Sequence, residues 1–179
     1  MSEPLKAMAD AVLLIFAAWC QTQIPGFGAN LPGFPLLIAT GLVIAWKRPL
    51  SEAAVCLLWA GMLNDSIGLL PRFCTAAYLL SIFGVVRLYH GGLPLKNAFQ
   101  GVLLCGAATS GLVLWTYAFS GANLPVTFVQ LLVRCALAFP AGVLSAAVGN
   151  FLVGFIDRHS GRIVPENGEN GIIWTETNS

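Results

Sequence analysis

Charged residues are scarce in this sequence. Only 9% of its 179 residues are Asp, Glu, Lys or Arg, whereas 57% are hydrophobic. A typical soluble domain has about 25% charged residues, so these are too few to cover a water-facing surface. The composition therefore predicts an integral membrane protein. The formal net charge of +1 and the lack of a basic cluster give no support for a nucleic-acid partner.

Side chains that bind metals or carry redox chemistry are also few. The five cysteines fall one to a segment and form no C-x-x-C pair. A free cysteine in an apolar stretch behaves as a small hydrophobic residue. Of the two histidines only His159 has an acid nearby, Asp157. We therefore expect no metal and no cofactor. The cysteines are Cys20, Cys56, Cys74, Cys105 and Cys135.

Six apolar segments, separated by Gly, Pro and charged residues, account for most of the chain. A helix rises about 1.5 Å per residue, so about 20 residues cross a hydrocarbon core of about 30 Å. The second segment is short enough to leave open whether it spans fully. The sixth is too long for one straight span, so either Pro140 kinks it or its first turns lie along the interface. The segments are residues 7–24, 34–46, 50–70, 73–89, 97–119 and 127–156.

The positive charges predict how these segments are oriented. With the N-terminus in the cytoplasm, seven Lys or Arg residues are cytoplasmic, only Arg72 lies in an outer connection, and Arg134 lies inside the sixth segment. We therefore predict an all-α protein with six transmembrane helices in residues 1–159 and both termini cytoplasmic. Residues 160–179 are polar and are predicted to be a disordered tail. The seven cytoplasmic residues are Lys6, Lys47, Arg48, Arg87, Lys96, Arg158 and Arg162.

Asn64 and Asp65 lie within the third apolar segment, toward its outer end. An ionised group at the centre of a membrane helix costs roughly 2.5–3.5 kcal/mol, so such groups usually face a partner or a cavity. Glu52, in the same segment, lies at the opposite, cytoplasmic end. We therefore expect no second carboxylate within the membrane to share acid and base catalysis with Asp65, and we predict no enzyme. We predict instead that Asp65 orders the outer end of the third helix, paired with Arg72, Arg134 or water.

Small residues recur every four positions along the sixth segment, at Gly142, Ala146, Asn150 and Gly154. Such a stripe allows helix backbones to approach closely, either within one bundle or against a partner protein. Both interpretations are open on the sequence alone. Asn150 could also donate a hydrogen bond across the contact, which is worth about 0.6 kcal/mol on average in a membrane.

One part of the chain resembles a known family. A short helix led by proline is followed by a basic turn, a helix that ends in Asn-Asp, and a further helix. This order resembles the rod-shape-determining protein MreD family over residues 30 to 90, and the remainder is similar only in hydropathy. The matching stretches are Phe34-Pro35-Leu36-Leu37-Ile38, Lys47-Arg48-Pro49, Ala60-Gly61-Met62-Leu63-Asn64-Asp65 and Thr75-Ala76-Ala77-Tyr78-Leu79-Leu80.

The resemblance implies a non-enzymatic scaffold subunit of the cell-elongation complex in the bacterial inner membrane. Its partners would be membrane lipid, an MreC-like bitopic protein, the MreB filament and the RodA-PBP2 synthase. The sequence leaves a homo-oligomer open. A six-helix chain of this length also resembles the substrate-binding subunit of an energy-coupling-factor vitamin transporter. In that alternative Trp59, Asn64 and Asp65 would line an outward-facing pocket.

Overall fold

A computed structural model describes residues 3–23, 34–68, 73–89, 98–119 and 127–159 of the chain. The regular elements in these ranges are six α-helices, with no strand among them, so the predicted helical segments are confirmed. The predicted tail, residues 160–179, and Arg72 lie outside the described residues. The helices are α1 (Glu3–Gln23), α2 (Leu36–Lys47), α3 (Leu50–Gly68), α4 (Cys74–Tyr89), α5 (Ala98–Phe119) and α6 (Phe128–His159).

Two stretches in the described part of the chain are long and apolar enough to cross a bilayer, Phe99–Phe119 in α5 and Phe128–His159 in α6. Shorter apolar helices occupy Ala7–Gln23, Leu36–Lys47 and Cys74–Leu88. Length and composition therefore give weak support for membrane association. The prediction of six spans stays a prediction.

The short helix α2 lies at the centre of the bundle, in contact with α1, α3, α5 and α6. All of its residues from Leu36 to Trp46 are buried. A helix that is apolar on every face is suited to this position, because it has no polar side to turn outward. Its 12 residues extend only about 18 Å at the usual helical rise.

Close approaches between backbones hold α2, α3, α4 and α6 together. A methyl group added at Gly61 of α3 would overlap the backbone of Ala76 in α4. One added at Gly149 of α6 would lie 3.0 Å from Oγ1 and 3.2 Å from Cα of Thr40 in α2. Small residues are the usual way for membrane helices to gain packing contacts, since burying apolar surface gives no driving force within lipid.

Helix α6 continues through Pro140, which has no backbone N–H to donate. Two hydroxyl groups of α5 lie within hydrogen-bond distance of backbone carbonyls in this region of α6. Ser110 Oγ donates to the carbonyl of Cys135 at 2.9 Å, and Thr109 Oγ1 lies 3.0 Å from the carbonyl of Ala138. This pairing ties α5 to α6 at the proline.

Candidate interaction site

Three charged residues meet in the interior at one end of the bundle, and we name them the Arg48 cluster: Asp10, Arg48 and Asp157. The guanidinium of Arg48 donates to both carboxylate oxygens of Asp10, at 2.8 and 2.9 Å. It also donates to the two oxygens of Asp157, at 2.7 and 3.4 Å. The residues are only 3%, 5% and 5% exposed, respectively. One side chain thus joins α1 and α6 to the end of α2.

The local backbone conformation directs the Arg48 side chain toward these two acids. Arg48 is the first residue after α2 and is extended (φ −117°, ψ 158°), because Pro49 disfavours the helical conformation in the residue before it. Asp157 lies in the last turn of α6, and Asp10 lies within α1. The planar guanidinium has five N–H donors in a fixed fork, which suits it to bind two carboxylates at once.

Charge in the Arg48 cluster is largely compensated. Burial by itself lowers the pKa of Arg48, but hydrogen bonds to Asp10 and Asp157, and the charges of both, hold the pKa above its ordinary value. Arg48 is therefore charged at any physiological pH. Burial lowers the pKa of nearby Lys47, and the charge of Asp157 opposes that shift, so a second base lies close to the two acids.

The Arg48 cluster was not predicted from the sequence. The expectation that Asp65 has no second carboxylate within the apolar part of the chain was wrong, because Asp10 and Asp157 are also buried. The cytoplasmic position predicted for Arg48 stays a prediction. The three residues come from within α1, from the end of α2 and from the end of α6, which are distant in sequence, so their convergence is a property of the fold. A usable signal was present, however, because Asp10 interrupts the apolar run from Ala7 to Cys20.

Asp65 takes part in a second polar group, which we name the Asn64–Asp65 network: Gln21, Leu37, Asn64, Asp65 and Thr75. Both oxygens of Asp65 accept the backbone N–H of Thr75, at 3.0 and 3.2 Å. Asn64 Nδ2 donates to Thr75 Oγ1 at 3.1 Å, and Gln21 Nε2 donates to Asn64 Oδ1 at 3.2 Å. Gln21 Oε1 accepts the backbone N–H of Leu37 at 3.0 Å. The network therefore links α1, α2, α3 and α4.

Asp65 serves as a cap for α4 although it belongs to α3. Thr75 is the second residue of α4, and the first amides of a helix have no partner within the helix. A carboxylate there also interacts favourably with the positive end of the helix dipole. Of the partners predicted for Asp65, Arg72 lies outside the described residues, and Arg134 lies half-buried in the second turn of α6. The amide of Thr75 was not among the partners considered.

Replacing Asp65 with alanine should leave membrane insertion intact and lower the free energy of unfolding by about 0.5–2 kcal/mol, the usual cost of losing an N-cap. Asp65→Asn should cost less, because its amide oxygen still accepts the N–H of Thr75. Thermal unfolding of the purified chain in detergent measures both effects. Ser66→Ala is the matched control, because exposed Ser66 donates to the carbonyl of Met62 in its own helix and is bonded to no other helix in the described part of the chain. An Asp65→Ala midpoint equal to that of Ser66→Ala would contradict the capping role.

The predicted stripe on α6 divides into two parts. Gly142 and Ala146 are buried, and a methyl group added at Gly142 would overlap the side chain of Thr109 in α5. Asn150 is half-buried. A methyl group added at Gly154 would meet no atom within 4 Å. The first half of the stripe therefore packs within the bundle, whereas Gly154 faces open space.

Helical geometry explains why the stripe leaves the interior. Each residue turns the helix by about 100°, so a spacing of four residues drifts by about 40° at every step. The buried face of α6 instead takes one step of three between Gly142 and Gly149, where Ser145 and Ala146 are both buried. It then continues in steps of four through Val153 and Asp157, one position away from Asn150 and Gly154. The buried side of α6 thereby ends in the Arg48 cluster.

A groove of about 600 Å³ opens between α1 and α3 on the side of the bundle, and we name it the α1–α3 groove. Neither Asn64 nor Asp65 is among its lining residues, whereas Trp59 is. Apart from Asp10, Ser51 and Glu52 its lining is apolar or carries a thiol. It is lined by Ala7, Met8, Asp10, Ala11, Leu14, Ile15, Ser51, Glu52, Val55, Cys56, Trp59 and Leu63.

Comparison with known proteins adds no relative from which a role could be transferred. No protein-family model, no curated protein and no solved structure matches the chain. The resemblance to MreD therefore stays a prediction based on residues 30 to 90. Among the described residues no three His, Cys, Asp or Glu side chains are grouped so that they could hold a metal ion.

Proposed function

We propose that the chain is a multi-pass protein of the bacterial inner membrane, with all six helices crossing the bilayer and both ends in the cytoplasm. The exposure of apolar side chains and the burial of charged ones support a position within the membrane. Large apolar side chains are exposed on every helix except α2, whereas Asp10, Arg48, Asp65 and Asp157 are buried. An apolar surface of this extent would drive aggregation in water, but hydrocarbon is a suitable solvent for it.

Within that membrane domain we propose a non-enzymatic scaffold subunit of the cell-elongation complex, as the resemblance to MreD suggests. The observation that carries the proposal is what the buried carboxylates do. Asp10 and Asp157 are bonded to Arg48, and Asp65 is bonded to Thr75. All three hold helices together. The scaffold would contact an MreC-like bitopic protein and, directly or through it, MreB and the RodA-PBP2 synthase.

The alternative, a vitamin-binding transporter subunit, has less support. It requires Asn64 and Asp65 to face a ligand, whereas both are engaged with Thr75. The α1–α3 groove includes Trp59 but is lined mainly by apolar side chains. A vitamin needs several convergent polar groups to fix its orientation. A lateral apolar surface is better suited to binding other membrane helices.

Depletion of the protein from a rod-shaped host should round the cells, because a scaffold subunit is needed to keep wall synthesis on the cylinder. Affinity purification of the full chain should recover an MreC-like single-pass protein together with the transpeptidase. Recovery of a paired ATPase, a coupling subunit and a bound vitamin would establish the transporter alternative instead. Rod-shaped cells after complete depletion would contradict the scaffold proposal.

A further inference from the structure

The α1–α3 groove has a shape that could hold an extended apolar segment. Four of the large side chains along it are more than half exposed: Met8, Ile15, Val55 and Trp59. The groove is thus open along its length toward the surrounding lipid. Between these walls lie smaller residues, including Ala7, Ala11 and Ser51, which let another backbone approach closely.

One end of this groove is acidic. Asp10 and Glu52 both line it, at the end where α3 begins and the Arg48 cluster lies. Asp10 is already bonded to Arg48. Glu52 is only partly buried, and in the described part of the chain it forms no hydrogen bond or ion pair. The groove therefore offers one acid, at its cytoplasmic end in the proposed topology, to a positively charged occupant.

We propose that the α1–α3 groove receives a single transmembrane helix of a partner protein, one that carries Lys or Arg at its cytoplasmic end. The apolar walls would contact the lipid-embedded part of that helix, and Glu52 would pair with its basic flank. Single-span proteins oriented with this end inside are enriched in such flanking residues. The inference rests on the proposed function only in requiring α1 and α3 to lie in the bilayer.

The charge of Glu52 distinguishes among three occupants of this groove: a phospholipid, a second copy of the chain and a helix with a basic flank. The phosphate of a phospholipid headgroup is negative, so Glu52 disfavours a lipid as the preferred ligand. A second copy docked by two-fold symmetry would bring the same patch to both sides of the contact. The lining, as far as the structure describes it, contains acids and no Lys or Arg, so a second copy docked through the same patch would bring no opposite charge to Glu52. A helix with a basic flank meets an opposite charge.

A library of single-span helices, with the lipid-facing residues and the cytoplasmic flank randomised, tests the proposal against the full chain in a bacterial transmembrane two-hybrid assay. Helices with Lys or Arg in the flank should be enriched. Glu52→Lys should weaken their binding about fivefold, as expected for a partly exposed ion pair, and should shift enrichment toward acidic flanks. Ala11→Phe, which fills the groove, should abolish binding.

Ala147→Phe is the matched control, because Ala147 is exposed on α6, away from the groove, and it should leave binding unchanged. Three outcomes would overturn the proposal: no enriched helix, binding that Ala11→Phe does not affect, or Val55→Cys chains that cross-link to each other as dimers. The test is separate from that of the proposed function. Cells that stay rod-shaped after depletion would refute the scaffold while groove binding of basic-flanked helices still stood.

Discussion

Arg48→Gln should lower the free energy of unfolding by about 3–5 kcal/mol, the usual cost of removing one member of a buried ion pair. The glutamine amide can replace at most two of the four hydrogen bonds that the guanidinium makes to Asp10 and Asp157. Two carboxylates would then share the interior without a positive charge between them. Thermal unfolding in detergent, followed by gel filtration of the heated sample, measures the loss.

Two variants make this experiment specific. Arg158→Gln removes a positive charge from the exposed residue next to Asp157 and should shift the midpoint little, because exposed charges contribute at most about 1 kcal/mol. Adding Asp10→Asn and Asp157→Asn to Arg48→Gln should recover part of the stability, since no buried charge is then unpaired. Equal midpoints for Arg48→Gln and Arg158→Gln would show that the cluster does not hold the helices together.

Gly61→Ala should destabilise the contact between α3 and α4 by about 1–3 kcal/mol, the usual range for overpacking a core. The added methyl group would overlap the backbone of Ala76, and a backbone cannot change rotamer to make room. The helices would have to separate, which would also lengthen the bond from Asp65 to the amide of Thr75. The unfolding midpoint in detergent is the measurement.

Gly84→Ala is the control for this second substitution. Gly84 lies within α4, and a methyl group there would meet no atom within 4 Å. Alanine also favours a helix over glycine by up to about 1 kcal/mol. We therefore expect Gly84→Ala to leave the midpoint unchanged or to raise it. A Gly61→Ala midpoint no lower than that of Gly84→Ala would show that α3 and α4 do not pack as closely as described.

Hydropathy alone was sufficient to predict the helices, because runs of apolar residues between Gly, Pro and charged residues leave few other choices. It identified Asp65 as unusual for the same reason. It could not identify Thr75 as the partner, because a capping contact depends on the turn that brings α4 back beside α3. The predicted partners were Arg72, Arg134 or water, whereas a backbone amide is an equally good partner for a carboxylate.

The Arg48 cluster and the α1–α3 groove could not be predicted from the sequence, for a different reason. Arg48 is 38 residues from Asp10 and 109 from Asp157, and charges near helix ends ordinarily face water. Whether they meet depends on which helices are neighbours. The groove likewise exists only because α1 and α3 both flank the buried helix α2. Neighbour relations among apolar helices leave little trace in composition or periodicity.

The shortness of α2 has a consequence for the surrounding lipid. The Arg48 cluster and the Asn64–Asp65 network are 11 residues apart along both α1 and α2, about 17 Å at the helical rise. The hydrocarbon of an ordinary bilayer is about 30 Å thick, whereas the 32 residues of α6 extend about 48 Å. Because α2 is buried on every side, lipid around the proposed bundle would meet the longer helices that enclose it. The shortness of α2 therefore requires no local thinning of that bilayer.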